Sequence, residues 1–380
     1  MVVGAGEASG DVLGARLITA LKQRHIGPLA FSGVGGAQMA AVGMDSLYPI
    51  SDLSGMGLAE VLPRLRLLLQ RLAETSDHVR AVQPAALITI DAPGFSLRLA
   101  KRLAGEGIPL IHYVAPQVWA WRPSRARHWA ARIDHLLALL PFEPEFFREF
   151  DVHCEFVGHP VIEGLEEMPG NGAAFRRVYG VNAGVPLLAL LPGSRVGETS
   201  SLLPIFAQAA AKLHKERPEL HVVMPTVEQV VSTVTDAVKT WPMPVHVVQG
   251  PSLRADAFAA ADAALAASGT VSLELALRGV PSVVAYRANP ITAALVRRML
   301  LLPYVALPNI LAGELVMPEF LQENCQPAGI ADALSELLDN TDRRSEQRQK
   351  FSNISEMLGG GGVAPSLRAA EAILRLLEAK

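Results

Sequence analysis

Asp91 stands at the end of the apolar run Ile88-Thr89-Ile90 and is followed by Ala92-Pro93-Gly94-Phe95. Ligands in open α/β sheets bind beyond the carboxyl ends of strands, so a carboxylate placed there can take a proton from a substrate hydroxyl. The same position suits a helix N-cap ahead of Phe95, and sequence position leaves both roles open. Arg195 closes Leu191-Pro192-Gly193-Ser194-Arg195, a second strand end with a turn glycine. A guanidinium there, with Ser194 and helix-terminal N–H groups beside it, can neutralise a departing diphosphate; a surface ion pair is the plainer use. In Ala267-Ser268-Gly269-Thr270-Val271-Ser272-Leu273-Glu274 a strand meets a turn that opens a helix. Exposed N–H groups around Ser268, Gly269 and Thr270 suit phosphate, and Glu274, one turn in, can accept hydrogen bonds from ribose hydroxyls.

The opening Gly4-Ala5-Gly6-Glu7-Ala8-Ser9-Gly10-Asp11 also joins a strand to a helix. Its small residues, Ser9 and Gly10 among them, let a substrate approach backbone N–H groups. Glu7 puts a carboxylate where a dinucleotide's pyrophosphate would sit, which disfavours NAD. A tight turn capped by Ser9 or Asp11 is the alternative. No Asp-x-Asp pair is present to hold a divalent ion, and His112, His128, His135 and His159 read as structural or local hydrogen-bonding groups rather than ligands. The expectation is a site with no metal and no cofactor, in which Arg195 and helix N-termini neutralise charge.

Such residues need a scaffold of strands and crossover helices. Residues 29–31, 85–90, 109–114 and 136–140 read as strands buried on both faces, with helices over 11–24 and 96–103. The alternation restarts with strands at 187–191, 220–224, 245–248, 263–267 and 282–285. Residues 160–185 form a linker with a short helix at 175–178, Gly359 to Gly362 a flexible hinge, and 364–377 a last helix that could pack back on the first domain. The expected architecture is α/β: two doubly wound Rossmann-like domains facing a cleft, residues 1–165 and 166–362, with 363–380 returning to the first.

A chain of 380 residues, 50% hydrophobic, can bury two such cores. The net charge of −3 argues against nucleic acid as a partner. Cys154 and Cys325 read as free thiols of a reducing cytosol. The start carries neither a signal nor a transit peptide, its short first strand points to a true start upstream of Met1, and no apolar run reaches transmembrane length. Mean hydropathy of +0.27 hints at buried sheets plus some lipid contact. Between 58 and 72, Leu58, Val61, Leu62, Leu65, Leu68, Leu69 and Leu72 form one helical stripe, decorated by Arg64, Arg66 and Arg71. That pattern suits a helix lying in a lipid interface, here through Leu65, Leu68 and Leu69, or one packed on its own sheet. Arg297 and Arg298 beside Met299 to Leu302 make a second lipid-facing candidate, and Trp119 and Trp121 line a cleft near acyl chains or belong to the core.

Taken in order, Gly6-Glu7-Ala8-Ser9-Gly10-Asp11, Ile90-Asp91-Ala92-Pro93, the run from His112 to Trp121, Leu140-Pro141-Phe142-Glu143, Phe156-Val157-Gly158-His159-Pro160, Leu191 to Arg195, Ala267-Ser268-Gly269-Thr270 and the run from Leu307 to Gly313 resemble the lipid-A-disaccharide synthase family. The resemblance spans nearly the whole chain, although Gly94 stands where members often carry an acidic residue. It implies a B-type glycosyltransferase fold (GT-B) and the condensation of UDP-2,3-diacylglucosamine with 2,3-diacylglucosamine 1-phosphate (lipid X) into a β-1,6-linked disaccharide and UDP. It implies a cytoplasmic protein peripheral to the inner membrane of a Gram-negative cell; the sequence leaves monomer or homodimer open. It matches Asp91 to the family's essential aspartate, Arg195 to its phosphate-handling arginine, Asn309 to a nucleotide-side position and Glu7 to a cleft-facing acid. Rival readings are a UDP-N-acetylglucosamine 2-epimerase, another B-type transferase, or a non-catalytic nucleotide-sugar or lipid-binding module.

Overall fold

Leu187-Leu188-Ala189-Leu190-Leu191 is a run of apolar residues with no polar face, and such a run is stable only where both sides of a sheet are covered. All five are buried in a strand. The computed structural model describes residues 1–53, 58–288 and 302–378, the side chains of 58–64 excepted. Arg297 and Arg298 lie outside the described residues, as do the side chains of Leu58, Val61 and Leu62.

The chain forms two compact units, Met1–Pro160 with Gly361–Lys380, and Val161–Gly360. The first holds a seven-stranded sheet of β1 (Val2–Ala5), β2 (Ser32–Val34), β3 (Asp45–Ser46), β4 (Leu87–Ile90), β5 (Leu110–Tyr113), β6 (His135–Ala138) and β7 (Cys154–Phe156), in the order β3-β2-β1-β4-β5-β6-β7. The second holds β8 (Leu187–Leu191), β9 (His221–Thr226), β10 (Val245–Gln249), β11 (Ala263–Ala266), β12 (Ser282–Tyr286) and β13 (Glu319–Leu321), in the order β10-β9-β8-β11-β12-β13. Every pairing in both sheets is parallel. Parallel neighbours need crossover connections, and helices supply them on both faces.

The helix Pro365–Glu378 belongs to the first unit, where Ala369, Ala370, Ala372 and Ile373 join Leu17, Ile18 and Leu21 of the helix Ala8–Arg24 in one core cluster. Arg375 reaches Glu155 at 2.6 Å and Arg368 donates to the Phe156 carbonyl at 2.8 Å, so the helix is pinned along β7.

Three expectations change. The apolar stretch Leu29 to Phe31 precedes its strand rather than forming it: β2 begins at Ser32. Glycine at 33 is required there, with φ +139° and an ideal Cβ that would lie 2.0 Å from the Val3 carbonyl oxygen. The expected linker carries two helices, Val161–Glu167 and Gly172–Val178, and its Gly170 and Gly172 press onto the backbone of the helix Pro251–Ala260. The glycine run at 359–362 is a capped turn rather than a free hinge: the Gly360 N–H donates to Ser355 at 2.8 Å and that of Gly359 to Glu356 at 3.0 Å.

Candidate functional site

In each sheet the strand order reverses at one place, between β1 and β4 in the first and between β8 and β11 in the second. The crevice at the carboxyl edge of such a switch point is where open α/β sheets take ligands. In the first unit Ala5 lies beside Ile90 and Ile90 beside Tyr113, so Gly6, Asp91 and Val114 leave the sheet side by side. The approach is close: an ideal Cβ on Gly6 would sit 2.4 Å from that of Ala92.

The backbone at this edge is strained. Asp91, Ala92 and Val114 have φ of +52°, +47° and +78°. The left-handed region costs an L residue roughly 1–2 kcal/mol, and a β-branched residue is a rare occupant. Strain of this kind persists where neighbours over-determine it: Asp91 donates its N–H to the Tyr113 carbonyl at 2.9 Å, Val114 to that of Leu137 at 3.0 Å, and Ser96 Oγ to the Asp91 carbonyl at 2.8 Å. The helix Pro93–Leu103 starts without any side-chain cap, so the Asp91 carboxylate is not spent as an N-cap. Burial pushes its pKa up, opposed by the Ala92 N–H, which makes it a stronger base than an exposed aspartate.

The other first-unit candidates divide. Glu7 holds the N-cap position of its helix without a side-chain cap bond, and Ser9 is exposed on the first turn. Gly10 is buried; its ideal Cβ would lie 3.1 Å from that of Ala5, so its part is to bring helix and sheet together rather than to bear a ligand. Asp11 caps a different helix from the expected one. It is 6% exposed and accepts from the N–H groups of Gly36, Gln38 and Met39 at 2.7, 2.9 and 3.1 Å, where the helix Ala37–Ala41 begins. Trp119 and Trp121 part company: Trp119 is core and Trp121 is 40% exposed. Trp119 donates Nε1–H to Glu143 at 3.0 Å, whose other oxygen accepts from the N–H groups of Leu139 and Leu140. Glu143 thereby ties the segment after β5 to the end of β6. His112 is fully buried against Trp129, with Nδ1 2.8 Å from Thr89 Oγ1; burial pushes its pKa down to about 3, so it is a neutral core group.

In the second unit Leu191 lies beside Ala266, so the loops after β8 and β11 flank the switch point. Gly193 has φ +116°, and an ideal Cβ would meet the Glu198 carboxylate at 2.2 Å. Glu198 is three residues into the helix Val196–Glu216 and turns back on the Ser194 N–H at 3.3 Å. Burial raises its pKa, while the N–H of Ser194 and the charge of Arg195 oppose the rise. Ser194 and Arg195 are exposed. Glu198 was missing from the sequence reading, yet its place, third in a helix that Arg195 opens, is where a capping-box acid belongs. Across the switch point the helix Thr270–Leu277 opens behind Gly269, at φ +152°, with no side-chain cap. Ser268 is half-buried and Gly269 and Thr270 are exposed, so the uncapped N–H groups face outward beside small residues.

Two residues expected on the nucleotide side have their side chains committed to other partners. Asn309 is fully buried and its amide is committed: Oδ1 accepts from Val316 and Met317 at 2.9 and 2.8 Å, and Nδ2 donates to the Met317 carbonyl and to Glu319 at 2.8 and 2.7 Å. It fastens the helix Leu307–Ala312 to β13, and its side chain is not presented to a ligand. Glu274 is not a free acceptor either, since Arg254 and Arg278 hold its carboxylate. On the helix Leu58–Val82, Leu65 and Leu69 are 45% and 48% exposed and Leu68 is half-buried, whereas Leu72 and Val79 are core.

Among the described residues, no three His, Cys, Asp or Glu are placed to hold a metal ion, and no helix is long and apolar enough to cross a membrane. Cys154 and Cys325 are free, the first half-buried and the second buried.

Comparison with known proteins adds a family. A family model described as lipid-A-disaccharide synthetase matches residues 1–366. The chain is 49% identical over 375 residues to the lipid-A-disaccharide synthase of Rhodospirillum centenum, covering 98% of this chain and 93% of that one. It is 47% identical over 374 residues to that of Paramagnetospirillum magneticum, covering 97% and 95%. Among solved structures it is similar to UDP-GlcNAc 2-epimerase from Neisseria meningitidis bound to UDP-GlcNAc, with a TM-score of 0.67 at 13% identity over 100% of this chain and 99% of that one. It is also similar to Acinetobacter baumannii MurG, with a TM-score of 0.56 at 14% identity over 100% and 99%. At such identities the likeness is one of fold, which is GT-B.

Proposed function

The chain belongs to the lipid-A-disaccharide synthase family, and on that premise we propose that it joins UDP-2,3-diacylglucosamine to 2,3-diacylglucosamine 1-phosphate, releasing UDP. The observation that carries the reading is the whole-chain relation to named synthases at 47–49% identity. The 2-epimerase shares the fold at only 13% identity, which gives no ground for preferring its chemistry.

The proposed reaction is one inverting displacement. The acceptor's 6-hydroxyl oxygen bonds to the donor's anomeric carbon as the bond from that carbon to the β-phosphate oxygen breaks, and the hydroxyl proton passes to Asp91. The raised pKa of the Asp91 carboxyl supports its use as base. The departing charge falls to Arg195 and to the N–H groups at the start of the helix Thr270–Leu277. Neither role calls for a divalent ion. The exposed Leu65 and Leu69 support a further reading, that this helix lies on the cytoplasmic face of the inner membrane, where both acylated substrates reside. The protein acts there as monomer or homodimer.

The test is to supply both acylated sugars in detergent micelles without added metal and to follow UDP and disaccharide together. Asp91→Asn and Arg195→Ala should each lower kcat by about 10²–10³-fold with an unchanged unfolding curve. Near-normal turnover in either variant would reject the role given to that residue, and no UDP from the wild type would reject the reaction.

A further inference from the structure

Residues 115–133 contain Arg122, Arg125, Arg127 and Arg132 but neither aspartate nor glutamate. Arg122, Arg125 and Arg127 are exposed, and among the described residues no carboxylate meets their guanidinium groups. In the same unit Arg71, Arg80 and Arg148 each hold one. Neighbouring cations without an acid repel one another and attract an anion. The segment that carries them is firmly anchored. Trp119 donates Nε1–H to the buried Glu143, and its ring meets that of Phe142 edge-on with centroids 4.9 Å apart. Further along, Ala126 is fully buried and the ring of Trp129 lies 4.4 Å from that of His112. Between these anchors the turn Pro123–Arg125 is closed by the Arg125 N–H, which donates to the Arg122 carbonyl at 3.0 Å. Side chains three residues apart in a 3₁₀ turn share a face, so Arg122 and Arg125 are presented together.

The segment leaves the sheet at the carboxyl end of β5, and Glu143, which anchors it, follows the carboxyl end of β6. These strands stand one and two places from β4, whose carboxyl end bears Asp91. Adjacent strands are about 4.8 Å apart, a spacing on the scale of one sugar ring with its substituents. In the proposed reaction the acceptor offers its 6-hydroxyl to Asp91 and carries a phosphate at the opposite end of the ring. Guanidinium forks match phosphate oxygens in geometry as well as charge, and anchors that hold the backbone in place reduce the ordering cost of binding. We propose that Arg122 and Arg125 bind the 1-phosphate of the acceptor and so set which of its hydroxyls reaches Asp91. The phosphate meant is the acceptor's rather than a bilayer headgroup's, because the cations flank the strand end that bears the proposed base. The inference rests on the proposed transfer reaction and on Asp91 as its base.

The test compares two acceptors on the full-length protein in non-ionic detergent micelles: 2,3-diacylglucosamine 1-phosphate and the same sugar without its phosphate. KM and kcat are measured for both, with donor KM and unfolding curves, on the wild type, Arg122→Gln, Arg125→Gln and Arg122→Lys. Arg148→Gln, which removes an exposed charge elsewhere in the unit, is the control. The wild type should prefer the phosphorylated acceptor in kcat/KM by roughly 10–100-fold, the worth of charged hydrogen bonds. Arg122→Gln and Arg125→Gln should each erase most of that ratio through the KM of the phosphorylated acceptor. Donor KM and turnover of the unphosphorylated sugar should stay put, Arg122→Lys should keep part of the ratio, and Arg148→Gln all of it. A wild type that uses both acceptors equally overturns the proposal, and so do variants that lose activity on both alike, since that marks a structural role. A ratio unmoved in both glutamine variants, with weaker co-sedimentation on vesicles of anionic phospholipid, assigns the cations to headgroups and overturns it as well. In each of these cases the transfer reaction stands; no UDP from the wild type with either acceptor sinks the reaction itself.

Discussion

Replacing Glu143 by glutamine separates two forces that the structure sets against each other. The carboxylate is 1% exposed and receives three N–H groups, from Trp119, Leu139 and Leu140, at 3.0 to 3.1 Å. Burial outweighs those donors and pushes its pKa from 4.5 up to about 7. A rise of that size is worth about 3 kcal/mol between the two protonation states, at 1.36 kcal/mol for each pKa unit. The sign follows from the raised folded value. The stabilisation is fully present below about pH 4.5, where the group is protonated folded or unfolded, and is lost as pH climbs through 7 and folding must bury a charge. Glutamine does not titrate, so the stability difference between wild type and Glu143→Gln should swing by about 2.5 kcal/mol against the wild type between pH 5 and pH 8. Urea unfolding at stepped pH, followed by tryptophan fluorescence, measures it; Trp119, Trp121 and Trp129 all lie in the first unit and report on it. A difference that stays flat over this range would show that the three donors hold the carboxylate ionised throughout, and the reasoning from burial would be wrong.

Asp11→Ala removes the acceptor of three N–H groups at the start of the helix Ala37–Ala41. It should cost about 2–4 kcal/mol in urea unfolding, the joint loss of a cap and of charged hydrogen bonds; a cost below about 0.5 kcal/mol would mean that water or backbone movement replaces the carboxylate. Leu65→Ser with Leu69→Ser should lower co-sedimentation with vesicles of anionic phospholipid severalfold and leave the unfolding curve unchanged, because both side chains are already about half exposed. Equal vesicle binding by the double variant would remove the lipid role from this helix.

How far the sequence foretold these features depends on where the stabilising partner of each element sits. The strand at β8 was legible to its boundaries because five buried apolar residues in a row admit few other placements. The loops around Asp91, Arg195 and Ser268 were legible because turn chemistry after a buried run is local. The short edge strand β3, Asp45–Ser46, carries exposed polar residues and is held by backbone pairing and by Ser46 Oγ, which accepts from the Gly35 N–H at 3.1 Å, so no hydrophobic pattern announces it. β2 was displaced for a similar reason, its pairing resting on Gly33 rather than on the apolar residues before it. Side-chain commitments to partners in other elements were illegible. Asn309 looks like a ligand-side amide until Glu319 and the backbone of Val316 and Met317 occupy it, and Glu274 looks free until Arg254 arrives from another helix.

The membership of the helix Pro365–Glu378 in the first unit bears on how the chain is made. Translation delivers Leu17, Ile18 and Leu21 well before the apolar side chains that cover them, from Ala369 to Ile373. Everything between Val161 and Gly360 leaves the ribosome in the meantime. The first unit is therefore completed only after the second has been made, and until then that apolar helix face lacks the helix that covers it.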